Sequence, residues 1–225
     1  MGETTTAATR QPGTSLAEFA YGQLCQKLLT LDIVPGDPIR EEALMAELEI
    51  GRTPLREALK RLELDKLVVS YPKRGTFATR VEISDLAYIS EIRQVLEPMA
   101  AARAARVATD ATRETLREVA RDIETLDGDS GSIKELLTFD SRVHRSIYRA
   151  CGNPHLEDSL IRYNNLGTRI WCTVADQLPH LNVHIKEHLQ LLAAIIDGDE
   201  REASELAAEH VRAFEVAVRE ALLAK

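Results

Sequence analysis

Cysteine is scarce in this 225-residue chain. Cys25, Cys151 and Cys172 are odd in number, far apart and free of any C-x-x-C spacing. That pattern speaks against a disulfide framework or a thiolate zinc site and predicts buried, reduced thiols. Aromatic residues make up only 4% of the sequence, while Ala, Leu, Glu and Arg abound, a balance that favours helices. Long apolar runs are missing as well. No stretch approaches the roughly 20 residues needed to cross a bilayer, and Met1 to Gln11 lacks the apolar core of a signal peptide. The expectation is a soluble, cytoplasmic protein with no membrane partner.

Positive charge is also in short supply: 28 Lys and Arg face 36 Asp and Glu, and the net charge of −8 argues at first against nucleic acid as a partner. The distribution reverses that argument. Arg52 to Arg80 carries eight basic residues (52, 56, 60, 61, 66, 73, 74, 80) against three acidic ones (57, 63, 65), a local +5 that leaves −13 on the remainder. One basic surface on an otherwise acidic protein is expected.

Residues 1–13, rich in Thr, Ala, Gly and Pro and without periodicity, read as a disordered leader. From Ser15, the apolar positions Leu16, Phe19, Ala20, Leu24, Leu28 and Leu31 follow helical spacing, with Ser15 and Glu18 placed as a capping box. Pro35-Gly36-Asp37-Pro38 stops that helix. A second helix fits Glu41 to Leu48, Glu49-Ile50-Gly51 makes a tight turn, and a third begins near Thr53-Pro54 and runs to about Asp65. Two β-type runs, Leu67–Tyr71 and Thr76–Thr79, flank Pro72-Lys73-Arg74-Gly75, which is hairpin chemistry with a basic tip. Helix, helix, turn, helix, hairpin over residues 14–80 is a winged helix-turn-helix. After a linker at 81–84, residues 85–225 read as an all-α bundle of about six helices, near 85–107, 110–127, 132–150, 155–177, 182–197 and 199–223. Breaks fall at Thr109-Asp110, Gly128–Gly131, Gly152–Pro154, Pro179 and Gly198-Asp199. The fold class is mainly α.

In a helix-turn-helix the second helix is held so that its first turns enter the major groove, where Arg forks pair with guanine edges. Arg52, Thr53 and Arg56 occupy that first turn, and Arg52 and Arg56, four apart, project from one face. Lys73 and Arg74 beside Gly75 place charge at the wing tip, within reach of phosphates or the minor groove. Arg40, beside the second helix, joins this DNA-binding set. The run from Gly51 to Leu59 (GRTPLREAL), followed by Pro72-Lys73-Arg74-Gly75 and preceded by Pro35-Gly36, Ile39 and Glu41, resembles the DNA-binding domain of GntR-type regulators over roughly residues 16–80. That resemblance implies a homodimer on palindromic double-stranded DNA. Two positions depart from it: Glu49 stands where the family usually has Gly, and Gly51 where it usually has Ser.

All six histidines (144, 155, 180, 184, 188 and 210) fall in the helical half. Asp140 and His144, four apart on one helix, can converge on one ion, although a simple Asp–His pair satisfies the same spacing. His188 and His210 sit on mainly apolar stripes of two later helices, where an imidazole needs a partner. His155, His180 and His184 are expected to cap helices or face water. Arg93 with Leu96-Glu97, Phe139-Asp140 with His144, Gly152-Asn153-Pro154, Glu187-His188, Gly198-Asp199 and His210 resemble the C-terminal FCD domain of FadR-like members of the same family. That resemblance implies a divalent metal ion on Asp140, His144, His188 and His210, and a small carboxylate effector on it. Three imidazoles and one carboxylate suit Zn, Ni, Mn or Fe. Arg93 is the candidate partner of the effector's carboxylate, and Asn165 and Arg169 are candidate effector contacts beside it. The expected function is a DNA-binding regulator, a repressor, whose operator affinity a carboxylate controls. Two other readings stay open: a regulator with a purely structural metal, and a metal-dependent enzyme on organic acids, for which no H-E-x-x-H motif is present.

Overall fold

The computed structural model describes residues 10, 13–126, 132–175 and 181–223, the side chains of 181 and 182 excepted. Most of the expected leader, the 128–131 break, the Pro179 break and His180 lie outside those residues. The chain divides into two compact units, one up to Val81 and one from Glu82 onward. The architecture is a winged helix-turn-helix followed by a bundle of six helices.

In the first unit, α1 (Leu16–Leu29) starts where Ser15 Oγ accepts the Glu18 N–H at 3.1 Å, satisfying one of the donors that a helix N-terminus leaves open. Its buried stripe, Ala20, Leu24, Cys25 and Leu28, packs on α3 (Arg52–Leu64) through Leu55, Ala58, Leu59 and Leu62. Each fully buried Leu contributes roughly 1.5–3 kcal/mol. Between them lies α2 (Glu41–Leu48), which ends at Glu49 in the left-handed conformation, φ 53° and ψ 42°. That is the turn position where GntR-type regulators usually have glycine. Gly51 then N-caps α3 without a side-chain bond, so the recognition helix lacks the cap a serine would give.

The wing is an antiparallel pair, β1 (Val68–Tyr71) and β2 (Gly75–Ala78), with Val68 opposite Ala78 and Tyr71 opposite Gly75. Its turn is closed by the Arg74 N–H donating to the Tyr71 carbonyl at 3.1 Å. Pro72 takes the first central position and Lys73, with φ +60°, the second. Gly75 follows at φ +90°, a backbone that side chains rarely adopt.

The second unit comprises α4 (Asp85–Val107), α5 (Asp110–Glu124), α6 (Ile133–Ala150), α7 (Pro154–Cys172), α8 (Leu181–Asp197) and α9 (Glu200–Leu223). Helix α4 is the hub and packs most extensively on α9. Ala100, Ala101, Ala104 and Ala105 are buried along it and let neighbouring helices approach closely. Full reciprocal capping occurs at Ser132 and Glu135, which fixes the start of α6. Asn153 Oδ1 accepts from the His155 and Leu156 N–H groups, and Pro154 opens α7 one residue earlier than the pattern indicates. α5 ends at Glu124, three residues short of its expected end.

The left-handed Glu49 yields a direct expectation. Glu49→Gly should raise stability by about 0.5–1 kcal/mol, since a non-glycine αL residue costs roughly 1 kcal/mol or more and glycine's added unfolded-state freedom offsets part of the gain. Thermal melting of the full chain checks this; a lower Tm would show that Glu49 is not strained.

Candidate DNA-reading face and candidate metal centre

The amphipathic pattern of α3 separates its two jobs. With Leu55, Leu59 and Leu62 held in the core, Arg52, Thr53, Arg56 and Lys60 are exposed. Lys73, Arg74 and Gly75 are exposed at the wing, and Arg40 is exposed beside α2. Among the described residues, Arg40, Arg52, Arg56, Lys73 and Arg74 make no ion pair; Arg74 lies over the Tyr71 ring at 5.7 Å and Arg61 over the Tyr21 ring at 4.1 Å. Unpaired, solvated guanidinium and ammonium groups on one unit are suited to phosphates and base edges.

The helical unit gathers its imidazoles. His144 from α6, His188 from α8 and His210 from α9 each offer a nitrogen, and these atoms lie within 4.8 Å of one another. All three residues are buried, at 2%, 0% and 5% exposure. The His144 and His188 Nε2 atoms face each other at 3.3 Å, and the His188 ring is oriented by Nδ1 donating to the Ile185 carbonyl at 3.1 Å. Asp140 joins them: Oδ2 is 3.7 Å from His144 Nε2 and Oδ1 is 4.0 Å from His188 Nδ1. Both ring nitrogens of His210 and Oδ1 of Asp140 are buried without a hydrogen-bond partner. Groups that burial strands in this way normally cost free energy, and a cation on the three imidazoles would take up one His210 nitrogen and could take up the Asp140 oxygen. The donor set therefore fits a divalent transition metal.

Behind the cluster stands a second layer. Glu97 of α4 lies 3.6 Å from His144 Nδ1, and the Tyr148 hydroxyl is 3.1 Å from the same atom. A carboxylate behind a ligating imidazole fixes its tautomer and raises its basicity. Arg93 completes the layer. It is 2% exposed, donates from Nε to Glu97 at 2.6 Å and lies over the Phe214 ring at 5.0 Å. Arg93 is thus engaged by a carboxylate from its own helix. Asn165 and Arg169, buried on α7, complete the expected effector set, and Asn165 Oδ1 accepts from Arg145 at 3.2 Å.

Desolvation dominates the electrostatics. Burial holds the His144 and His210 imidazoles well below the usual histidine range, reinforced for both by the neighbouring His188. His188 is pushed down to about 3 by burial and then by His184, while burial pushes the Asp140 carboxyl up to about 6. The three imidazoles are therefore neutral, the state in which they bind metals.

Two assignments for the remaining histidines part company. His155 is exposed at the start of α7, as expected. His184 does not simply face water: its side chain is only 13% exposed and stacks on His210 with centroids 4.2 Å apart. Its spacing of four from His188 could have placed it beside the cluster. In the sequence, Glu97 stands out only as part of the Arg93, Leu96-Glu97 motif, with no role of its own, and Tyr148 carries no signal, since an aromatic on an apolar face is ordinary.

Comparison with known proteins now decides the family. Residues 16–78 match the bacterial regulatory proteins of the gntR family, and residues 88–213, more than half of the chain, match the FCD domain. The chain belongs to the GntR family, with an FCD domain at its C-terminal end. This GntR-family chain is 29% identical over 180 residues to the Nta operon transcriptional regulator of Aminobacter aminovorans, covering 79% of this chain and 82% of that protein. It is 27% identical over 202 residues to the probable D-xylose utilization operon transcriptional repressor of Paenarthrobacter nicotinovorans, with 88% and 84% covered. Among solved structures, E. coli McbR/YncC superposes with a TM-score of 0.79 at 22% identity, over 92% of this chain and 98% of that one. A GntR regulator from Rhodococcus sp. RHA1 gives 0.67 at 18% identity, over 92% and 99%. Those two likenesses concern the fold. Family membership makes the chain a DNA-binding transcription regulator and not an enzyme. Among the described residues, no helix is long and apolar enough to cross a membrane.

The neutral imidazoles give a pH dependence with a definite sign. Below about pH 6.5 the unfolded chain protonates His144, His188 and His210 while the folded chain does not, so metal-free stability falls with pH; Asp140 opposes this between about 6 and its unfolded value, one group against three. Melting of chelator-treated protein should give a lower Tm at pH 5.5 than at pH 7.5. A flat profile would mean that the imidazoles are not buried as described.

Proposed function

We propose that this regulator binds a palindromic DNA site as a homodimer, and that a divalent metal ion held by His144, His188, His210 and Asp140 is a structural element of its FCD domain. The observation that carries the metal reading is the set of partnerless buried atoms on His210 and Asp140, in a cluster whose His144 and His188 Nε2 atoms are 3.3 Å apart. Bound there, the ion acts as a cross-link between α6, α8 and α9. Glu97 and Tyr148 orient His144, and the Ile185 carbonyl orients His188. Arg52, Thr53 and Arg56 read base edges, while Arg40, Lys73, Arg74 and Gly75 serve the backbone or the minor groove. The homodimer is supported by α4, where Tyr88, Val95 and Met99 are 67%, 61% and 54% exposed and, with Ile92, follow a heptad-like spacing.

A second reading makes the ion a platform for a small carboxylate that lowers operator affinity and relieves repression. One observation favours it: Asn164 Nδ2 and Trp171 Nε1 on α7 are buried donors without partners. Against it stands Arg93, whose Nε already donates to Glu97 at 2.6 Å. The structural reading is preferred for that reason.

Two measurements separate these ideas. Arg52→Ala and Arg56→Ala should each abolish operator selectivity, a loss of about 1–3 kcal/mol per bidentate contact, while melting stays unchanged. Selectivity equal to wild type would refute the recognition-helix assignment. Chelation should lower the Tm of the full chain, and citrate added to metal-loaded protein should leave operator affinity unchanged; weakened operator binding in citrate would favour the sensor.

A further inference from the structure

His210 belongs to two clusters. The inner one, with His144 and His188, is buried throughout; the outer one is His184, Glu187 and His210, whose ligand atoms also lie within 4.8 Å of one another. Glu187 Oε2 lies 3.2 Å from His184 Nδ1 and 3.6 Å from His210 Nδ1, with the Glu187 side chain 48% exposed. Glu187 and His210 both line a cleft of about 260 Å³ between α8 and α9, together with Gln190, Leu191, Leu206 and Glu209. A graded path of burial thus runs from exposed Glu187 through His184 to the fully buried His188.

Two further observations point to a cation. Both nitrogens of the buried His210 ring lack hydrogen-bond partners, and so does the buried Nε2 of His184. Meanwhile the His184 and His210 planes are only 20° apart, stacked at 4.2 Å. Because imidazole lone pairs lie in the ring plane, stacked rings direct them side by side instead of converging on one point. The outer triad can hold an ion, but loosely. Trp171 packs edge-on against His184 at 5.0 Å and limits its ring to this neighbourhood.

We propose that His184, Glu187 and His210 form a solvent-facing uptake site for divalent transition-metal cations, which pass to the inner imidazoles by exchange on the shared His210. Glu187 draws the hydrated cation into the cleft by charge, His184 and His210 replace its first waters, and rotation of His210 hands it inward. This rests on the inner metal site proposed above. Residues that serve only the path lower the barrier for arrival and departure alike, so they change both rates and leave the equilibrium where it was.

The test follows Co²⁺ uptake by the chelator-stripped full chain, using stopped-flow absorbance, and Co²⁺ release to excess chelator. His184→Gln and Glu187→Gln, which keep size and polarity, should slow uptake and release together, each on the order of tenfold, with Kd unchanged. Unchanged rates in both variants would overturn the uptake site while leaving the inner site standing. A weakened Kd with faster release and normal uptake would also overturn it, since these residues would then be supporting the inner ligands. Failure of the wild-type chain to bind Co²⁺ would remove the inner site and the uptake site together. Circular dichroism and melting confirm that each variant folds, and His188→Gln, which removes an inner ligand, should weaken Kd.

Discussion

Three imidazoles from three helices meet in a dry interior, and the packing of the FCD domain is arranged around that meeting. Burying His144, His188 and His210 costs desolvation that apolar side chains would not incur, and the His210 ring leaves both of its nitrogens without partners. Everything adjacent supports the same three groups. Glu97 and Tyr148 stand behind His144, Arg93 balances Glu97, and the Arg93 guanidinium rests on Phe214. Without a shared cation the cluster is a liability in the core; with one it becomes a cross-link between α6, α8 and α9.

This ordering explains why Arg93 is turned inward. A guanidinium with five donors is the usual partner for a free carboxylate, but here the carboxylate comes from Glu97, one turn along the same helix. The pair holds Glu97 where its second oxygen approaches His144 Nδ1. Arg93, the candidate partner of an effector carboxylate, thereby also buttresses the imidazole cluster through Glu97. The DNA-reading unit is organised on the opposite plan: its charged groups are exposed, and an apolar stripe on α3 keeps them so.

Much of this was legible in the sequence. The 3.6-residue spacing of Leu55, Leu59 and Leu62 fixed which side of α3 would be solvent-facing, and the hairpin residues located the wing. The four-residue spacing of Asp140 and His144 placed both on one face of α6. What could not be read was long-range pairing. His184 carries the spacing to reach His188, yet nothing local reports that α9 would bring His210 onto its ring. Glu97 stands out only as part of a motif, and its place behind His144 emerges when α4 and α6 pack together. Glu49 is a subtler case: the residue type gives no sign of a left-handed backbone, and the hint lies in the family resemblance, since GntR-type regulators usually have glycine at that tight turn.

The most direct measurement is a crystal structure of the protein as purified, with anomalous diffraction collected across the absorption edges of the first-row metals. The account predicts one strong anomalous peak among His144, His188 and His210, with an Asp140 oxygen within bonding distance. No peak there, with the imidazoles hydrogen-bonded to one another or to water, would contradict it.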